Sequence, residues 1–344
     1  MISVYLISSF TSIKQANWRL VNLEYSNPLW DGYCADPFVL KTGDFYYCYA
    51  TGATSEPLAD GRHFVLLKSS DLANWESLGG ALIPMEGCEN AEHWAPEVCE
   101  RDGVFWMYFS CNTPHGGDIT QRLHVARANS PEGPFEVVKP LLFPNDGFTI
   151  DASPFNDPQT GKWYLYFARD FMDGRVGTGT AVVELNDDMI SWTGEVHTVV
   201  RASADWQIYE RNRTIYGKQV EAWHTVEGAF VVFHAGKYVC FYAGGNWTNA
   251  SYGVSFAVAD SPIGPWLDEQ SAEGAFVLRG NENTIGPGHN SVVLAPDDKT
   301  YLCIYHAWNA EGTRRQLCLD PIEWTTQGPK VTPTRGAQSV NLSG

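Results

Sequence analysis

Clusters of basic residues are missing from this chain. Its 344 residues hold 23 Lys and Arg against 40 Asp and Glu, a formal net charge of −17. Gripping a phosphate backbone requires grouped cations, so nucleic acid is not an expected partner. The acidity itself is mainly a matter of solubility and is compatible with a neutral or cationic ligand. No CxxC pair and no zinc-type spacing occurs among the eight cysteines, Cys34, Cys48, Cys88, Cys99, Cys111, Cys240, Cys303 and Cys318. Cys48, Cys240 and Cys303 lie inside apolar strand-like runs (YYCYA, YVCFY and YLCIY), which reads as buried reduced thiols and points to a reducing, cytoplasmic compartment. Long apolar runs are missing too. The opening MISVYLISSF is too short to span a bilayer, and with Lys14 as its first basic residue it lacks the charged region of a secretion signal. No membrane partner is expected; a secreted protein whose signal has been removed is the alternative to a cytoplasmic one. Nor is any long amphipathic helix readable.

Aromatic residues are abundant: 13 Trp, 16 Tyr and 17 Phe, within a hydrophobic content of 44%. They favour strands, and their faces also stack on sugar rings. Most of them fall in a repeat. Five segments share a short strand, a turn and a strongly aromatic strand: ADPFVLKTGDFYYCYATG, WAPEVCERDGVFWMYFSC, IDASPFNDPQTGKWYLYFARD, VEGAFVVFHAGKYVCFYAGG and GHNSVVLAPDDKTYLCIYHAW. The aromatic strands begin near Phe45, Phe105, Trp163, Tyr238 and Tyr301, at separations of 60, 58, 75 and 63 residues. Each repeat continues with an apolar strand, a polar turn and an aromatic residue opening a fourth strand, at Trp75, Phe135, Trp192, Trp266 and Trp324. Period-2 patterning bounded by Gly, Pro, Asn and Asp marks strands and turns. Four strands per repeat at a period near 60 predict an all-β, five-bladed β-propeller occupying the chain as one domain. A β-sandwich would not repeat the same two-part signature five times. The 75-residue interval contains an insertion, roughly 201–222, in which Trp206 and Tyr209 are candidates to line a site.

In a propeller the innermost strands line the axis. The residues opening them are Asp36, Trp94, Asp151, Glu227 and His289, each 9 to 12 residues before its aromatic strand. The repeat thus predicts that three carboxylates at one structural phase converge with a Trp and a His. Unpaired acids that converge repel one another, a cost usually met at functional sites. Glycoside hydrolysis uses such a set: one carboxylic acid protonates the leaving oxygen, one carboxylate activates water or attacks as nucleophile, and a third can hold the acid's pKa high.

At these residues the chain resembles glycoside hydrolase family 43, the β-xylosidases, α-L-arabinofuranosidases and arabinanases. The motifs are ADPFV around Asp36, WAPEV at 94–98, IDASPF around Asp151, VEGAF around Glu227 and GPGHNS around His289. They extend the resemblance from about Asn27 to Trp324. It implies Asp36 as general base, Asp151 as the residue that tunes and orients the acid, Glu227 as general acid, and inversion at the anomeric carbon. It also implies a calcium ion on the axis beside His289, with water as most other ligands. Trp94 resembles a sugar-stacking residue, and Arg315 of TRRQLCLDPIEW the arginine that reaches the active site. Expected substrates are xylo- or arabino-oligosaccharides, cleaved from an end; the alternatives are an endo-1,5-α-L-arabinanase and a non-catalytic carbohydrate-binding propeller. About twenty residues follow Trp324, which favours small soluble substrates.

Two departures bear on these roles. The acid's motif has Ala229 where family members often have Pro, and Glu221, six residues before Glu227, is a rival acid. Glu227 is preferred for its distance to the next aromatic strand. Glu97 is a candidate for an ion pair in the channel, and Phe38 and Phe155 are expected in the core. The invertase-like propellers, which retain configuration, are disfavoured because their WMNDPN-type and RDP motifs are absent.

Overall fold

The computed structural model describes residues 22–112, 121–268 and 274–342. Five antiparallel sheets surround an axis. Blade 1 runs outward through Ala35–Thr42, Phe45–Thr51, His63–Ser69 and Glu76–Leu82, and blade 2 through His93–Arg101, Val104–Asn112, Gln121–Ala128 and Glu136–Lys139. Blade 3 comprises Thr149–Asn156, Trp163–Phe171, Gly177–Leu185 and Trp192–Val200; blade 4 Val226–His234, Lys237–Gly244, Gly253–Ala259 and Leu278–Arg279. Blade 5 has Ile285–Leu294, Tyr301–Trp308 and Arg315–Pro321, and the segment ahead of blade 1 pairs with its last strand through a bridge at Trp30 and Leu317. The segment ahead of blade 1 thus helps close the ring, and Asn22–Asn27 pairs with Gly336–Asn341 beside that seam.

The middle strands are not half-buried. Tyr46 through Thr51 are buried without interruption, as are Tyr238 through Gly244. Each sheet packs a neighbour on both faces, so these strands read as continuous aromatic and apolar runs instead of an alternation. The core is accordingly divided into five layers, one between each pair of neighbouring blades. All eight cysteines are buried within these layers or at their edges and free. Cys34 and Cys48 face each other at 4.0 Å as thiols.

The repeated aromatics also stitch blade to blade. Tyr49, Tyr108 and Tyr166 occupy matching register positions in blades 1 to 3. Their hydroxyls donate to the backbone carbonyls of Pro131, Met189 and Pro262, each in the outer turn of the following blade, at 2.5 to 2.7 Å. A buried phenol needs such a partner, and satisfying it across the gap fixes the angle between sheets.

The insertion is a hairpin, Ile208–Ile215 with Lys218–His224, entered through a single 3-10 turn at Asp205–Gln207. It joins blade 3 by a parallel bridge between Gly177 and His224. The Asn246 amide of blade 4 donates to the Tyr209 carbonyl at 2.8 Å, so the hairpin is anchored to two blades.

Candidate active site

At one matching register point each inner strand carries a residue in the left-handed backbone region: Asp36, Ala95, Asp151, Gly228 and His289, with φ between 46° and 57°. The register shifts at that point in all five strands. These are β-bulges, which re-aim side chains toward the axis end of the barrel. For a residue with a side chain the left-handed region costs about 1 kcal/mol or more, so something must hold it. The bulge N–H groups are captured by the preceding blade. The Ala95 amide donates to Thr51 Oγ1 (2.8 Å), Asp151 to Ser110 Oγ (3.1 Å), Asp36 to His306 Nδ1 (3.1 Å) and Gly228 to Asp151 Oδ2 (3.2 Å). Gly228 has a second reason to be glycine: a Cβ there would sit 3.3 Å from the His289 ring.

This register corrects the expectation of three acids at one phase. Asp36, Asp151 and His289 occupy the bulge, together with Ala95 and Gly228. Glu227 stands one residue earlier, equivalent to Ala35, Trp94, Ile150 and Gly288. The acids still converge, but Glu227 approaches from a different direction.

The site they form is a chamber of about 260 Å³ whose walls include Tyr33, Asp36, Trp94, Asp151, Glu227, Trp247, His289 and Arg315. Asp36 is its ionic centre. Arg315 Nη1 donates to Asp36 Oδ1 at 3.0 Å and the Thr51 hydroxyl to Oδ2 at 2.8 Å. Arg315 is itself held by the Tyr33 hydroxyl at 3.0 Å and lies over the Trp247 ring at 4.5 Å. Burial pushes the Asp36 pKa up, but Arg315, His289, His306 and Thr51 outweigh it and hold the carboxyl well below the usual carboxylate range. Burial lowers the pKa of both histidines, so near neutral pH Arg315 is the charge that keeps Asp36 ionised.

Glu227 and Asp151 go the other way. Burial, reinforced by the Asp36 charge, raises Glu227 to about 7 against the hydrogen bond it accepts from Tyr252, 2.7 Å from Oε1. Burial and the charges of Glu227 and Asp36 push Asp151 well above its ordinary value. One carboxyl held low and two raised therefore share one enclosure, the separation that divides acid from base duties. With Glu227 as acid, kcat/KM falls as pH rises through about 7. With Asp36 as base, activity on the acid side persists to below the ordinary carboxylate range. Tyr252→Phe removes a donor that favours the carboxylate, so the alkaline limb should move to higher pH. An unmoved limb in a folded Tyr252→Phe protein would remove Glu227 from that role.

Other expected residues divide. Trp94 is half-buried on the chamber wall. Glu221 is exposed on the hairpin and lines neither this chamber nor the one beside it, which removes it as a rival acid. Trp206 packs in the layer between blades 3 and 4, against Gly244, and is not a site residue; Tyr209 lines the neighbouring chamber. Phe38 is core and Phe155 packs against the core. Glu97 makes no ion pair among the described residues. Burial raises it to about 8, against a hydrogen bond from Ser153, and its Oε2 has no partner. Thr51, Tyr252, Trp247 and His306 were not anticipated. Thr51 ends a second strand, His306 lies two residues before the end of another and Tyr252 precedes a third, positions that only the register brings to the axis.

Two places suit a cation. Asp151, Glu227 and His289 offer ligand atoms within 4.8 Å of one another, but an ion there would displace the proton on Glu227. Further along the inner strands, the buried amide of Asn290 and Oε2 of Glu97 have no partner among the described residues. Unpaired buried oxygens fit a hard cation completed by water.

Residues 25–329 match the family model of Glycosyl hydrolases family 43. Among curated proteins, the β-D-galactofuranosidase xynD of Aspergillus niger is 28% identical, with 94% of this chain and 89% of that protein covered. A probable arabinan endo-1,5-α-L-arabinosidase B of Aspergillus oryzae is 26% identical over 75% of this chain and 78% of its own length. Among solved structures, the crystal structure of a thermostable family-43 glycoside hydrolase superposes with a TM-score of 0.79 at 29% identity, covering 93% of this chain and all of that one.

Proposed function

The chain belongs to glycosyl hydrolases family 43 and is a glycosidase, and from that premise we propose that it is an inverting, exo-acting enzyme releasing D-xylose or L-arabinofuranose from hemicellulose-derived oligosaccharides. The observation that carries this reading is two carboxyls in unlike settings on one chamber wall: Asp36 paired with the Arg315 guanidinium and held low, Glu227 buried with the Tyr252 hydroxyl as its donor and raised to about 7. Asp36 takes a proton from water as its oxygen attacks the anomeric carbon. The bond to the leaving oxygen breaks, and Glu227 delivers its proton there. Asp151 accepts the Gly228 amide and so holds the backbone beside Glu227. Arg315 positions Asp36, and Trp94 and Trp247 line the chamber that receives the sugar.

Calcium belongs to the same proposal. His289, Glu97 and Asn290 are the residues that would hold it, and a bound ion would supply fixed positive charge to the site. A chelator should then lower Tm by several degrees and added calcium restore it. In His289→Ala the two conditions should give one Tm; a persisting calcium effect would move the ion elsewhere.

The exo reading is supported by the small chamber on the Asp36 side. Nitrophenyl α-L-arabinofuranoside, β-D-xyloside and β-D-galactofuranoside form the decisive panel. The last is included because a β-D-galactofuranosyl ring matches an α-L-arabinofuranosyl ring in configuration and differs only by a longer exocyclic arm. Cleavage of the galactofuranoside alone, or of internal bonds in arabinan with no monosaccharide released, would replace the proposed substrate or mode. Inversion is read from the anomer formed first, by proton NMR.

A further inference from the structure

The second strand of blade 5, Tyr301–Trp308, carries a histidine to which the reaction above gives no part. His306 is wholly buried and reaches the surroundings of both carboxyls. On one side its Nδ1 accepts the Asp36 amide at 3.1 Å and lies 3.4 Å from Asp36 Oδ1. On the other its ring runs parallel to that of Tyr252, with 7° between the planes and 5.7 Å between centroids. Tyr252 is the phenol that donates to Glu227 Oε1.

The room for this contact is built into the sheet. Gly288 stands opposite His306 in the register, and a Cβ on it would come within 2.3 Å of the Tyr252 ring. Tyr252 thus rests over bare backbone with the imidazole beside it. The hydrogen bond to Asp36 also selects the tautomer. A backbone N–H only donates, so Nδ1 presents its lone pair and the ring proton is on Nε2, which has no hydrogen-bond partner among the described residues. A proton on Nδ1 would face the Asp36 amide and release a residue held in the left-handed region.

We propose that His306 is a positioning residue for both carboxyls: one ring nitrogen fixes the backbone of Asp36, and one ring face fixes the phenol that aims Glu227. It acts through Asp36 and Tyr252, and its role rests on the assignment of base and acid above. The two duties need an acceptor and a flat ring in one side chain, and they can be taken apart. Asn places an oxygen close to where Nδ1 stands but has no ring. Phe keeps the ring but has no acceptor.

The test compares native protein, His306→Asn and His306→Phe on the phenyl, nitrophenyl and dinitrophenyl glycosides of the sugar that the native protein prefers. In His306→Phe, kcat should fall about tenfold and equally across the series, because the base is displaced. In His306→Asn it should fall about tenfold on the phenyl glycoside and at most about twofold on the dinitrophenyl glycoside, whose leaving group departs unaided, because only the acid is displaced. A histidine that merely fills space would cost both variants alike. Equal leaving-group dependence in the two variants, or the two patterns exchanged, overturns the proposal. So does a kcat on the phenyl glycoside within twofold of native in either variant. Each of these results leaves the glycosidase reading standing, since the native protein still hydrolyses the series. A native protein that cleaves no glycoside of the panel fails that reading, and the positioning role falls with it. Nitrogen-15 NMR of the native protein needs no variant to fold: near neutral pH the His306 ring should carry its proton on Nε2, and a proton on Nδ1 overturns the proposal.

Discussion

Glu227→Gln should slow hydrolysis of a sugar–sugar bond by about a thousandfold, within the range general acid catalysis supplies. Gln keeps the shape of the side chain and can still meet the Tyr252 hydroxyl, so the fold should be intact. It has no proton to give. The loss should depend on the leaving group: a dinitrophenolate departs unaided, so its glycoside should lose far less than an oligosaccharide. The fall in activity above pH 7 should also vanish, because that limb is the titration of Glu227. Steady-state kinetics on both substrates between pH 4 and 9 measure both effects, with Tm as the control. An equal loss on the two substrates, or an alkaline limb that survives, would assign the acid to another group.

Asp36→Asn should also cost about 10²- to 10⁴-fold in kcat, with no dependence on the leaving group. Here stability changes as well. Arg315 is buried, with Asp36 as the carboxylate it pairs with. Removing one member of a buried ion pair leaves an uncompensated charge, at about 3–5 kcal/mol. The side-chain carbonyl of the substituted amide and the Tyr33 hydroxyl recover part of that. Asp36→Asn/Arg315→Gln should restore Tm toward native while activity stays lost, since the two residues form one interaction. Activity above a tenth of native in the single variant would take the base role from Asp36. A double variant less stable than the single one would show that Arg315 contributes mainly by packing on Trp247.

The two experiments probe two environments built from the same bulge. Asp36 receives a guanidinium from blade 5 and a hydroxyl from its own second strand. Glu227 receives one phenol and lies among apolar and acidic neighbours. Identical chemistry in the free amino acids is driven apart by what each blade presents.

The blade count was legible because each blade must bury both faces of its middle strands, and that demand writes an aromatic run into every repeat. The six proposed site residues were legible because the repeat marks where each inner strand begins, or, for Arg315, through the motif around it. Three things were not. The offset of Glu227 from Asp36 and Asp151 depends on where the register slips, which a pattern of residue types does not record. The partners Thr51, Tyr252 and His306 sit on second strands or ahead of third ones, where nothing in the local sequence separates a site residue from a core residue. The hairpin was visible as extra length, but its nearer aromatic, Trp206, went to the core and its farther residues, Arg213 and Trp223, went to the neighbouring chamber.

By itself, then, the sequence determined the architecture and the identity of the carboxyls, because both follow from a period repeated five times in the chain. Tertiary structure alone decided which carboxyl is ionised and what lies on either side of Glu227. Those depend on distances of a few ångströms between blades remote in sequence, where burial and one buried guanidinium set the energy of a charge.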